Sequence, residues 1–238
     1  MTTASDSKEL DTRSADYVVH ALRAIVGSFP IVGPLFSELA GVVVPNQRME
    51  RISRFAEELE RRLRDLETAD GITDRLGNDE FADLLEEGIR QASRSLSDER
   101  RQYLASLIVN GLSKENIEYA ESRHLLRALD QMSDVEVVWL RFYLDPTFDG
   151  DEAFREKHEN VLAPAVATFD SSGNELDKAT LQGSYKEHLW QLGMLERKYR
   201  VDNRSKLPQF DARGIQKIAG YSITALGHLL LRQIGFSE

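Results

Sequence analysis

The 238-residue chain has no cysteine, which excludes disulfides, thiolate nucleophiles, zinc fingers and cysteine-ligated clusters together. It also lacks a Gly-rich Lys-Ser/Thr loop and any Gly-x-Gly-x-x-Gly, so two familiar phosphate-cradling turns are missing. The histidines His20, His124, His158, His188 and His228 are scattered and form no His-Glu-x-x-His pair. Glu121-Ser-Arg-His124 stands alone, whereas a di-iron bundle needs two such pairs and two further glutamates. Gly220-Tyr-Ser222-Ile-Thr224 copies only the first half of a nucleophile elbow, because a threonine replaces the closing glycine. No catalytic, cofactor-binding or metal residue is nominated, and a non-enzymatic protein without a cofactor is expected.

Long apolar runs are also scarce, with one exception. Between Tyr17 and Val44 the only full charges are Arg23 and Glu38, and residues 24–37 form a charge-free window of 14. As a helix such a window reaches roughly 21 Å, short of the roughly 30 Å hydrocarbon core of a bilayer. Its middle, Gly27-Ser-Phe-Pro30-Ile-Val-Gly33-Pro34, breaks a helix into two arms, expected over 15–28 and 35–43. Such a hairpin either buries itself against neighbouring helices or presents Phe29, Ile31, Val32, Leu35 and Phe36 to a membrane or a partner protein. Residues 1–14 read as a mobile polar tail, and the acidic and polar start does not match a signal peptide. The cytoplasm is the default location, with the hairpin offering peripheral attachment to the inner membrane.

What the chain has in quantity is helical periodicity. Met49, Ile52, Phe55, Ala56, Leu59, Leu63 and Leu66 recur at three- and four-residue steps and predict an amphipathic helix over 47–66. Further helices are expected over 79–96 (Phe81, Leu84, Leu85, Ile89, Ala92 inward) and 98–112 (Tyr103, Leu104, Leu107, Ile108, Leu112 inward). Two more follow over 114–131 and 134–144, the first burying Ile117, Leu125, Leu129 and Met132. Ser97 and the box Ser133-Asp-Val-Glu136 supply N-caps. Pro146 and Gly150 then mark a boundary, so the helical body is expected over 15–145 and a second domain over 146–238. There, a helix over 152–169 is interrupted by Pro164, a loop covers 171–174, and a helix over 176–192 buries Leu181, Tyr185, Leu189 and Leu192. The stretches 194–201 and 215–223 pair as a ribbon, and Thr224 caps a last helix over 225–234. Trp139 with Phe142 and Tyr143, and Trp190 near Tyr185, are expected as core anchors. The fold class is thus mainly α, a multi-helix bundle with an α+β end.

Charge divides along the same line. Residues 183–238 hold nine basic and five acidic side chains, a net of +4 within a chain of net −10, which leaves −14 for residues 1–182. The order helix, Leu192-Gly-Met-Leu-Glu196, ribbon, Tyr221-Ser-Ile-Thr-Ala-Leu-Gly227, helix resembles the second half of a winged-helix domain. That resemblance implies a DNA reader with a recognition helix over 176–192 and a basic wing on phosphate. The wing candidates are Arg197, Lys198, Arg200, Arg204, Lys206 and Lys217, while the helix itself, from Asn174 to Leu192, carries a net of −1, which disfavours a polyanion.

The segments Ile31-Val-Gly-Pro-Leu-Phe-Ser-Glu-Leu39, Asn46-Gln-Arg-Met-Glu-Arg-Ile52, Arg101-Gln-Tyr-Leu-Ala-Ser-Leu-Ile108 and Leu125-Leu-Arg-Ala-Leu-Asp-Gln-Met-Ser-Asp-Val-Glu136 are followed by the tail from Leu192-Gly193 to Thr224-Ala-Leu-Gly227. In that order the layout resembles the Abi-alpha type of bacterial abortive-infection-associated proteins. The resemblance implies a phage-defence protein with no established chemistry, acting through protein–protein contact, self-association or a membrane surface. The alternative is a winged-helix transcriptional regulator.

Overall fold

The computed structural model describes residues 46–66, 79–112, 119–147, 150–165 and 171–236. The polar tail and the apolar hairpin, with Phe29, Ile31, Val32, Leu35 and Phe36, lie outside the described residues. Among those described, nine helices and one two-stranded antiparallel sheet form a mainly α protein with a small α+β C-terminal region. No described helix is long and apolar enough to cross a membrane. The described residues divide into two compact units, one running up to Asp130 with Gln233–Gly235, the other Gln131–Arg232 with Phe236. The division falls before the helix expected over 134–144 rather than after it, because that helix packs with the C-terminal elements.

The first unit contains α1 (Asn46–Leu66), α2 (Asp79–Arg94), α3 (Asp98–Gly111) and most of α4 (Tyr119–Gln131). The three-and-four spacing works as expected: Ile52, Phe55, Ala56, Leu59 and Leu63 of α1 are buried against Phe81, Leu84, Leu85, Ile89 and Ala92 of α2 and Leu104, Leu107 and Ile108 of α3. The side chains of Met49 and Leu66, and residue Ile117, are outside those described. Ser97 caps α3 by accepting from the Arg100 amide. Two arginines of α3 are buried, which periodicity did not anticipate. Arg100 Nη1 donates to the Leu129 carbonyl at 2.7 Å, satisfying an acceptor in the last turn of α4, and Arg101 Nη1 donates to the Ser95 carbonyl at 3.0 Å.

The second unit runs α5 (Asp134–Phe142), α6 (Glu152–Lys157), α7 (Glu159–Leu162), α8 (Gly173–Gln191), β1 (Leu195–Tyr199), β2 (Ile218–Ile223) and α9 (Ala225–Gln233), whose last residue counts with the first unit. The capping box at Ser133 and Glu136 starts α5. Of the helix expected over 152–169 with an interruption at Pro164, the described part is two short helices that stop before Pro164, and residues 166–169 lie outside the described residues. Helix α8 begins three residues earlier than expected, because Ser172 and Glu175 form a second capping box inside the expected loop. It ends in a Schellman turn: Gly193, at φ 75°, donates to the Trp190 carbonyl and Met194 to the Leu189 carbonyl, each at 2.9 Å. Met194 and Leu189, the two residues joined by the outer bond of that turn, are both fully buried.

Candidate interaction surface

Helix α8 is the spine of the candidate surface. Leu189 is fully buried, but the expected stripe is corrected at Leu181, which is 52% exposed. Gln182 turns inward in its place, donating to the Val161 and Ala163 carbonyls at 3.1 and 2.9 Å and accepting from the Ala165 amide. Three unsatisfied backbone groups beside Pro164 thus select a buried amide over a buried leucine. Leu181 instead lines an open groove of about 360 Å³ with Val135, Val161, Lys178 and Tyr185.

The lysines of α8 do not present a basic outward face. Lys186 lies 4.3 Å from the Trp139 ring centroid, half-buried, and burial lowers its pKa. Lys178 is half-buried in the groove. Outward stand Glu175, Leu176, Asp177, Leu181 and Trp190. On the inner side, His188 Nδ1 meets Glu136 Oε1 at 2.6 Å, tying α8 to α5 through residues 52 positions apart.

Trp139 is buried as expected, whereas Trp190 is a surface residue. The Arg197 guanidinium lies 3.4 Å from the Trp190 ring centroid and pairs with Glu187, which also accepts from the Tyr221 hydroxyl. Burial works against the Glu187 charge, but the bonds from Arg197 and Tyr221 outweigh it and hold the carboxyl below the usual range. Arg197 is therefore engaged where α8 meets the sheet. Lys198, Arg200, Arg204, Lys206 and Lys217 are all exposed.

Tyr221 meets Tyr143 edge to face at 6.4 Å, and both hydroxyls are pushed up to about 12, by burial in each case and additionally by Glu187 for Tyr221. An unperturbed tyrosine ionises near pH 10. The preference of the folded unit for neutral rings is therefore complete below pH 10 and is lost as pH rises toward 12. The urea midpoint read from tryptophan fluorescence is expected to fall across that window; an unchanged midpoint would contradict the packing of these rings.

Beyond the sheet, residues 200–217 form a wing of two short turns. Arg200 N donates to Lys217 O, Lys217 N to Gln209 O and Gln209 N to Arg200 O, at 2.8 to 3.0 Å, closing a three-way backbone junction. Asp202 shapes the first turn by accepting from the Arg204 and Ser205 amides, and Asp211 the second by accepting from the Arg213 and Ile215 amides. Those bonds hold both carboxyls below their ordinary range, Asp202 through Ser205 first and Asp211 through Ile215 first. No residue from 196 to 219 is buried.

Strand register gives the wing two faces. Tyr199 pairs with Ile218, Val201 with Pro208 and Phe210 with Gln216, and residues two apart share a face. Tyr199, Val201, Pro208, Phe210 and Ile218 therefore lie on one face together with Gln216, and Lys198, Arg200, Gln209 and Lys217 on the other, with the β1–β2 register shifting between Lys198 and Tyr199. Val201, Leu207, Phe210 and Ile215 are exposed apolar groups that a list of wing cations leaves out. The alternation around Pro208-Gln-Phe210 was the available signal.

Among the described residues no group of three or more His, Asp or Glu side chains is placed to hold a metal, and Glu121 and His124 are both exposed. No protein-family model, curated protein or solved structure matches this chain.

Proposed function

We propose that this chain is a non-enzymatic bacterial defence protein of the abortive-infection type, acting by contact with a protein or a membrane through α8 and the wing. One observation carries the contact reading. Of the ten large apolar side chains exposed among the described residues, nine lie between Leu176 and Ile218, and only Leu96 lies elsewhere. Exposed apolar groups mark interaction sites where they adjoin one another, and in the wing strand pairing sets Tyr199 beside Ile218 and Val201 beside Pro208. The defence context rests on the layout resemblance alone. Phage plating on a bacterial host with and without the chain tests both parts. Plaque numbers are expected to fall with the intact chain and to recover with Leu207→Asp, Phe210→Asp. Equal plaque numbers with and without the chain across a phage panel would sink the defence reading, and undiminished protection by the variant would sink the contact surface.

DNA binding is the second reading, favoured by the exposed Lys198, Arg200, Arg204, Lys206 and Lys217. The outward residues Glu175, Leu176, Asp177 and Leu181 oppose it, since a groove-reading helix must approach phosphate. A duplex gel shift is expected to show no binding. A salt-sensitive shift abolished by Lys198→Ala, Arg200→Ala would put the regulator in its place.

A further inference from the structure

We infer that the wing is a membrane-interface element, the strand counterpart of an interfacial amphipathic helix, and that its occupant is an anionic phospholipid surface. The inference rests on the contact reading of α8 and the wing and names the partner. Interfacial segments combine an apolar face carrying aromatic and aliphatic residues with an opposite face rich in Lys and Arg. The wing has that division. Tyr199, Val201, Pro208, Phe210 and Ile218 share one face, on which Gln216 is the polar exception, and Lys198, Arg200 and Lys217 share the other. Arg204, Lys206 and Arg213 sit on the two turns, close to Leu207 and Ile215.

Charge complementarity selects an anionic occupant over a neutral one, and the apolar face beside the charge selects a lipid surface over nucleic acid. Between Lys198 and Lys217 six basic residues stand against Asp202 and Asp211, a net of +4, with Arg197 left out because it pairs with Glu187. Nucleic acid would use the basic face and leave Val201 and Phe210, each more than half exposed, uncovered. A bilayer interface takes up both, since long basic side chains extend along it to reach phosphate while apolar groups enter the acyl boundary. The acidic remainder of the chain is screened beyond a Debye length of about 8 Å at physiological salt.

The test is cosedimentation of the intact chain with vesicles of phosphatidylglycerol and phosphatidylethanolamine, and with vesicles of phosphatidylcholine alone. Binding is expected only to the anionic vesicles and is expected to weaken with salt. Two variants address the two faces: Val201→Ser, Phe210→Ser leaves charge unchanged, and Lys198→Gln, Arg200→Gln, Lys217→Gln leaves the apolar face unchanged. Each is expected to lower partitioning by about tenfold or more, with circular dichroism melts matching the parent because these side chains are exposed. Absence of wild-type binding overturns the assignment. Undiminished binding by both variants also overturns it, placing any attachment elsewhere in the chain. Loss with the charge variant alone, accompanied by duplex binding, overturns it in favour of nucleic acid. Phage protection that needs Phe210 without any vesicle binding overturns the lipid partner while the contact reading stands.

Discussion

Replacing Phe55 by alanine is expected to remove about 3–5 kcal/mol from the first unit. The ring is fully buried, and its Cζ lies at the point where α1, α2 and α3 meet: a Cβ built on Gly88 of α2 would fall 3.3 Å from it and 2.3 Å from Ile108 Cδ1 of α3. That spacing leaves no neighbouring side chain free to slide into the vacated volume, so most of the cavity persists and the cost sits at the upper end. A unit of this size has a total stability of about 5–15 kcal/mol, so the loss is a large share of it. With a typical urea dependence the midpoint read by circular dichroism is expected to drop by roughly 2 M. Phe55→Leu, which keeps most of the volume, is expected to cost under about 1.5 kcal/mol. Equal midpoints for Phe55→Ala and the parent would mean that the three helices do not share this contact.

The ease with which that core could be anticipated has a physical origin. Ile52, Phe55, Ala56, Leu59 and Leu63 fall on one helical stripe, and burial follows directly from the stripe because each helix has a single dry side. The second unit departs from that logic where polar groups decide. Gln182 displaces Leu181 from the interior because carbonyls and an amide freed beside Pro164 need partners. Trp190 was expected inside and is instead a surface plate under Arg197, a contact set by strand register rather than by helical spacing. The same holds for His188 and Glu136, which meet only through packing of α5 and α8.

The candidate surface was legible in its charge and not in its apolar half. Lys198, Arg200, Arg204, Lys206 and Lys217 read directly as a basic cluster, and all five are exposed. Val201, Leu207, Phe210 and Ile215 are separated by polar residues and became a surface only through the turns built on Asp202 and Asp211. Arg197 belongs to the same basic run, yet its partners Glu187 and Trp190 precede it by a turn reversal that residue type alone does not encode.

Two glycines of the second unit are expected to respond to alanine with opposite signs, although both sit in helices. Gly227 lies in the first turn of α9, against the turn that leaves α8: a Cβ there would fall 2.5 Å from the Met194 carbonyl oxygen and 2.7 Å from Ile223 Cγ1. That carbonyl cannot retreat, because it accepts from the Thr224 amide at 3.0 Å and from Thr224 Oγ1 at 3.1 Å. Thr224 in turn donates to the Gly193 carbonyl and accepts from the Gly227 amide, so the helix start, the sheet entry and the Schellman turn are bonded to one another. Gly227→Ala must break this arrangement or strain it, and is expected to cost about 1–3 kcal/mol net, with Gly227→Val costing more. Gly183, exposed in the middle of α8, has nothing within 4 Å of a built Cβ. Gly183→Ala is therefore expected to stabilise the unit by about 1 kcal/mol through helix propensity alone. Both tryptophans, Trp139 and Trp190, belong to this unit, so urea unfolding followed by their fluorescence reads both variants on one transition. A stabilising Gly227→Ala would show that α9 does not rest on the Met194 carbonyl, and with it the bonded junction that positions the wing would be lost.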